Sequence, residues 1–216
     1  SMYWLNKFDP IKVVQNINQC SVLMGVPTFY TRLLATKKIT RSNCRNVRVF
    51  ISGSAPLLEE TFHDFESMTG HKILERYGMT ETNMNTSNPI DGSRKPGTVG
   101  PPLPGIEIKI VDDNDKRIDK DVIGNLLVRG PNVFKGYWKM PEKSHDTIDK
   151  NGFFHTGDVG FIDEDGYLHV TGRVDDMFTV GGFNIFPAEI EMWLQEIKEV
   201  REAYIVPIND HYMGNI

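Results

Sequence analysis

The chain has 216 residues, 39% of them apolar and 25% charged, with a formal net charge of -5, enough apolar content to bury a core in one large domain or two smaller ones. Acidic and basic residues are interspersed, so there is no basic stripe of the kind a nucleic-acid binder needs, and nucleic acid is excluded as a partner. No apolar run is long enough to span a membrane and no secretory leader is visible.

In chain order, "FDPIKVVQNINQC" predicts a helix: Asp9 suits the N-cap, Pro10 the first helical position, and Ile11, Val14 and Ile17 share one side. "SVLMGV" reads as a short buried strand, and Pro27 opens a second helix over "PTFYTRLLA". "NVRVFISG" is the next strand. "SAPLLEETFHDFESMTG" then predicts a helix with Leu58, Phe62, Phe65 and Met68 inward and Gly70 at its end. Strands alternating with helices imply a parallel sheet, whose ligands sit beyond the carboxyl ends of its strands. "LERYGMTETNMNTSNP" follows, placing an arginine before an aromatic-glycine turn and a segment with no periodic pattern.

From "RKPGTVGPPLPG" onward, Gly and Pro punctuate short runs: "IEIKIV", "GNLLVRG", "GFFHTGDVGFID" and "GYLHVTGR". These predict strands and hairpins. "GRVDDMFTVGGFNIFPAEIEMWLQEI" predicts a hairpin and then a helix opened by Pro187, and "VREAYIVPI" a further strand. The expected fold class is α/β plus β-rich. Residues 1–95 would form a parallel α/β subdomain, residues 96–174 a β-barrel-like subdomain, and residues 175–216 a hinge and the start of a small mobile α+β carboxy-terminal domain. Cys20 and Cys44 show no CxxC or Cys/His spacing, which suits a reducing compartment. A cytoplasmic location is the expectation, with the mitochondrial matrix open if an address has been removed.

Singly, each local motif reads equally well as structure: "GSAPL" as a strand-to-helix turn and N-cap, "HTGD" as a hairpin turn, "GRVDD" as a polar strand end. In this order, however, "SGSAPL", "YGMTE", "GTVGPPLPG", "GFFHTGD", "GYLHVTGRVDD" and "GGFNIFPAEIE" resemble the adenylate-forming superfamily of acyl-CoA synthetases, luciferases and peptide-synthetase adenylation domains. The resemblance covers nearly the whole chain. Within the superfamily, "VLMGVPTFYTRLL", "ISGSAPLL", "LERYGMTETNMNTSNP" and "GPNVFKGYWKMPEK" look most like the malonyl-CoA synthetase group.

The resemblance implies a two-step ligase. A carboxylate attacks the α-phosphate of ATP, giving an acyl-adenylate and pyrophosphate, and the thiol of coenzyme A then displaces AMP. It implies that Tyr77 stacks on adenine beside Gly78, a flat π-face needing no edge contacts, and that the backbone of Gly53, Ser54 and Ala55 passes close to the base. Asp158 would accept the ribose hydroxyls and Arg173 would contact the ribose side. Thr80 would touch phosphate and Glu81 would hold Mg2+, a hard cation satisfied by one carboxylate plus phosphate oxygens and water. Asp175 would be the hinge, and Gly181 with Gly182 would lie near the arm of coenzyme A. Each has a plainer alternative: a core tyrosine, a solvated arginine, a turn-capping aspartate, an exposed loop acid, a hairpin glycine pair.

Arg76 precedes the stacking aromatic, at a position that lines the acyl pocket in the superfamily. In an extended strand, alternation sends Glu75 and Arg76 to opposite faces, so a salt bridge between neighbours is not its purpose. A guanidinium takes a carboxylate through two parallel bonds and stays charged when desolvated. Malonate or a methylmalonate, with one carboxylate activated and the other held by Arg76, is the expected acid; another small carboxylic acid and a non-catalytic nucleotide-binding module are the alternatives. Met84 would limit the substituent at C2, and Ser52 would add a hydroxyl. The opening Ser-Met has the form of a cleaved-tag remnant, and the superfamily's phosphate-wrapping loop and late catalytic lysine have no match here. The expectation is a piece of a longer ligase, inactive by itself.

Overall fold

The computed structural model describes residues 2, 4–180, 183–195, 197, 200, 203–210 and 214–215. They fall into two compact units, the first of residues 1–79 and 86–101, the second of residues 80–85 and 102–216.

The first unit begins with α1 (Pro10–Asn16), whose N-terminus is capped as predicted: Asp9 Oδ1 accepts hydrogen bonds from the amides of Ile11 and Lys12. Ile17 has left the α-helix for a 3-10 turn and is 2% exposed, whereas Ile11 faces outward. β1 (Val22–Gly25), α2 (Pro27–Ala35), the short α3 (Arg41–Cys44), β2 (Val49–Ser52), α4 (Glu59–Thr69) and β3 (Leu74–Met79) follow, and β4 (Asn83–Ser87) has its first three residues assigned to the second unit and its last two to the first. The strands lie in the order β1-β2-β3-β4, and both β1–β2 and β2–β3 are parallel. Tyr30, Leu33, Phe50, Phe62, Phe65 and Ile73 fill the core beneath them. Each buried Leu, Ile or Phe of this kind contributes roughly 1.5–3 kcal/mol. The Tyr30 hydroxyl, sealed inside, donates to the carbonyl of Ile51 at 2.6 Å, as a buried polar group must.

Three local expectations are corrected here. α4 begins at Glu59 with Leu58 at its N-cap and no side-chain cap, so Ser54 is not a helix cap. Pro56 biases the residue before it away from helical torsions, and residues 53–58 form a connecting segment instead. Tyr77 and Gly78 lie within β3, not in a turn after it. The unpatterned stretch beyond them contains a strand, β4, with Asn85 and Thr86 buried on it. A polar strand shows no hydrophobic alternation, so its pairing is invisible to periodicity.

The second unit is built on an antiparallel sheet of β5 (Glu107–Val111), β6 (Gly124–Arg129), β7 (Phe154–Ile162) and β8 (Leu168–Arg173), in that order. α5 (Pro141–Thr147) sits in the connection between β6 and β7. Ile110, Leu126, Val128, Phe153, Phe154 and Leu168 are buried. A 3-10 turn (Val174–Asp176) leads to the hairpin β9 (Phe178–Val180) and β10 (Phe183–Ile185), and Pro187 opens α6 (Pro187–Gln195) as predicted. The strand expected from "VREAYIVPI" does not form over residues 203–208, where no strand pairs with the backbone among the described residues. Two-residue strands, β11 (Asn209–Asp210) and β12 (Gly214–Asn215), pair beyond it. The parallel α/β part followed by an antiparallel β part is the predicted fold class.

Candidate active site

In the first unit the candidate residues gather at the carboxyl ends of β2 and β3. Parallel pairing sets Ser52 opposite Glu75, so the chain leaves β2 at Gly53 beside Arg76 on β3. A Cβ on Gly53 would stand 2.9 Å from Arg76 Nη1 and 3.2 Å from the Arg76 carbonyl oxygen. Glycine is what lets the arginine lie there. Arg76 is half-buried and has no hydrogen-bond or ion-pair partner among the described residues. The Ser52 hydroxyl is fully buried and has no hydrogen-bond partner among the described residues. Ser54 is exposed with φ 73, a left-handed conformation for a residue with a Cβ, at a cost of roughly 1–2 kcal/mol. Ala55 is exposed, and the half-buried Tyr77 points its hydroxyl to Met79 Sδ at 3.9 Å.

Glu75 and Arg76 are separated as alternation requires. Glu75 is 5% exposed, with its carboxylate bonded by the backbone N–H groups of Leu57 and Gly97; burial outweighs these bonds and, with the Glu59 carboxylate adding to it, pushes the Glu75 pKa up to about 8. Its Oε1 has no hydrogen-bond partner among the described residues. Sequence reading treated Glu75 only as a spacer.

In the second unit, Thr80 is exposed and Glu81 half-buried. The Glu81 carbonyl oxygen accepts from Phe134 N at 2.8 Å, and its Oε1 accepts from the Tyr137 hydroxyl at 3.2 Å. Burial and the neighbouring carboxylate raise the pKa of that phenol, keeping it the donor. Asn132 Nδ2 donates to the carbonyl oxygens of Thr82 at 2.6 Å and Met84 at 3.3 Å and to Asn85 Oδ1 at 3.0 Å, clasping the segment that carries Glu81 and the half-buried Met84. Asn132 and Tyr137 were missed as site residues, being about fifty positions from their partners with no spacing to connect them.

Asp158 and Arg173 are brought together. They are cross-strand partners on β7 and β8, with Arg173 Nη1 to Asp158 Oδ1 at 3.1 Å. Asp158 is 7% exposed, and its amide donates to Thr156 Oγ1. Gly157, at φ 74, leaves room for the arginine: a Cβ there would come within 3.0 Å of Nη2. Arg173 is thus paired rather than simply solvated. Asp175 is exposed in the 3-10 turn and lines a cavity of about 420 Å³ with Arg173, Phe186, Pro187, Glu191 and Ile205. Gly181 and Gly182 lie outside the described residues.

No group of three or more His, Cys, Asp and Glu side chains that would hold a metal occurs among the described residues. Glu81 offers instead one carboxylate, with Oε1 taken by Tyr137 and no hydrogen bond to Oε2 among the described residues. That fits Mg2+ carried in on phosphate oxygens and keeping its waters, and does not fit a resident ion in a protein cage. No helix among the described residues is long and apolar enough to cross a membrane.

A protein-family model described as AMP-binding enzyme matches residues 3–138. The chain belongs to the AMP-binding enzyme family. The chain is 40% identical over 214 residues to a malonate–CoA ligase of Arabidopsis thaliana, covering 95% of this chain and 35% of that protein. It is also 34% identical over 217 residues to a long-chain-fatty-acid–CoA ligase of Bacillus subtilis, covering 99% of this chain and 39% of that one. Among solved structures, ATP-bound MatB from Rhodopseudomonas palustris matches with a TM-score of 0.94 at 50% identity, over 98% of this chain and 42% of MatB. The chain therefore spans 35% to 42% of the length of these relatives. The family is the one its motifs point to.

Proposed function

We propose that the protein is an ATP-dependent acid:CoA ligase that forms malonyl-CoA. In the first step a malonate oxygen bonds to the α-phosphorus of ATP as the bond to pyrophosphate breaks. In the second, the coenzyme A sulfur bonds to the acyl carbon, the acyl–oxygen bond to AMP breaks, and the thiol proton is lost.

The observation that carries the choice of acid is Arg76. A half-buried arginine with no hydrogen-bond or ion-pair partner among the described residues, its guanidinium seated against Gly53, suits the second carboxylate of a short diacid. Two parallel N–H bonds from a desolvated Arg are among the stronger polar contacts available to a carboxylate. A monocarboxylate in the same place would leave the guanidinium unpaired. The kinship to a malonate–CoA ligase and to MatB supports the same reading. Met84 would set how large a C2 substituent is accepted.

The remaining roles follow the family. Tyr77, Gly78, Gly53, Ser54 and Ala55 serve the adenine, Asp158 and Arg173 the ribose, and Thr80 the phosphates. Glu81 would hold Mg2+, which when bound neutralises phosphate charge. Asp175 acts as the hinge, and Gly181 with Gly182 serve coenzyme A. The Asp158–Arg173 pair supports a shared role, since the arginine fixes the carboxylate that would take the two ribose hydroxyls.

A second reading is a ligase for another acid, favoured by the 34% identity to a long-chain-fatty-acid–CoA ligase. Comparing AMP release by the natural full-length protein on malonate, methylmalonate, acetate and palmitate separates the two. Malonate is expected first; palmitate first would replace this reading with the other.

A further inference from the structure

Glu81 is held at both ends by one segment. Phe134 N binds its carbonyl oxygen at 2.8 Å and the Tyr137 hydroxyl binds its carboxylate at 3.2 Å. The tyrosine is in turn locked from several sides. Its amide donates to Ser144 Oγ at 2.8 Å, and that hydroxyl donates to the Met140 carbonyl oxygen at 2.8 Å. The Phe134 ring meets the Tyr137 ring edge-on at 4.8 Å between centroids, and the Lys143 ammonium sits 4.4 Å over the same ring. The phenol is therefore a fixed donor rather than a swinging one.

We infer that Tyr137 is a positioning residue for the carboxylate that receives the nucleotide's divalent cation, occupying Glu81 Oε1 so that Oε2 is the oxygen presented. This rests on the proposed role of Glu81. A free glutamate side chain must give up several rotamers when it takes a cation. Here much of that ordering is done on folding. Hydrogen-bond partners behind a metal ligand of this kind set its direction, and their loss weakens metal binding or activity by roughly 10–100-fold.

The test uses the natural full-length protein and ATP as probe, with no acid or coenzyme A present. ATP affinity is measured by calorimetry twice, once with chelator and once with saturating Mn2+, free Mn2+ being followed by its paramagnetic resonance. The ratio of the two affinities is the metal-linked gain. Tyr137→Phe keeps the ring and its packing, and it is expected to cut the ratio by about tenfold while metal-free affinity stays within about twofold. Glu81→Gln is expected to bring the ratio close to one. A wild-type ratio in Tyr137→Phe with a lost ratio in Glu81→Gln would overturn the role of Tyr137 and leave that of Glu81 standing. Proportional loss of both affinities in Tyr137→Phe would show a merely structural residue and also overturn it. A wild-type ratio in Glu81→Gln would remove the role of Glu81 and that of Tyr137 with it.

Discussion

Arg76 lies so close to Gly53 that a single methyl group between them has no room: the added Cβ would sit 2.9 Å from the guanidinium Nη1 and 3.2 Å from the Arg76 carbonyl oxygen. The side-chain end can swing away at small cost, but the carbonyl belongs to β3 and cannot. Gly53→Ala is therefore expected to displace Arg76 and destabilise the protein by about 1–3 kcal/mol, as overpacking does. In steady-state kinetics the KM for malonate should rise more than the KM for ATP. Equal rises would mean that the glycine serves the strand and not the arginine.

The Asp158–Arg173 pair separates a binding role from a structural one. Arg173 is about half exposed, with 48% of its side chain open to solvent, so losing the pair should cost under about 1 kcal/mol of stability. If the carboxylate takes ribose hydroxyls, Asp158→Asn should weaken ATP binding by roughly 10–100-fold, the worth of charge-assisted hydrogen bonds. Calorimetry and thermal melting of the same variant check both halves. A large fall in Tm with ATP affinity intact would assign Asp158 to the sheet.

Glu75 makes stability depend on pH. Its pKa is about 8 in the fold and that of an ordinary carboxyl, 4.5, when unfolded. Between those values the folded chain binds more protons than the unfolded one, so stability falls as pH rises through the window. By pH 8 the loss attributable to this group is on the order of a few kcal/mol. Glu75→Gln has nearly the same shape and no charge, and it should flatten the slope between pH 5 and about 8 and be the more stable protein at the upper end. Urea unfolding across that range measures it. Parallel pH profiles for both proteins would place the ionisation elsewhere.

The parts of this fold that were legible were those written in local chemistry. Asp9 and Pro10 open a helix because one side chain caps and one ring fixes φ, and both facts are visible in three letters. The pattern "GFFHTGDVGFID" and "GYLHVTGR" announced β7 and β8, and their pairing placed Asp158 opposite Arg173. β4 was not legible, because Asn83, Asn85, Thr86 and Ser87 offer no apolar alternation, and its place comes from the sheet and from the Asn132 bonds to Met84 and Asn85. Glu75 was overlooked because nothing in "LERYG" says that the acid, and not the arginine, goes inside. Tyr137 and Asn132 were overlooked because their bonds to Glu81 and Thr82 close across about fifty residues of chain. Motif order carried the family; the contacts around Glu81 are tertiary.

Arg76→Ala in the natural full-length protein bears most directly on the central claim, with kcat/KM measured for malonate and for acetate on the same preparation. If Arg76 holds the second carboxylate, malonate should lose about a hundredfold or more, the cost of removing one partner of a desolvated charge pair, and acetate less than about fivefold. Equal losses for the two acids would contradict the account.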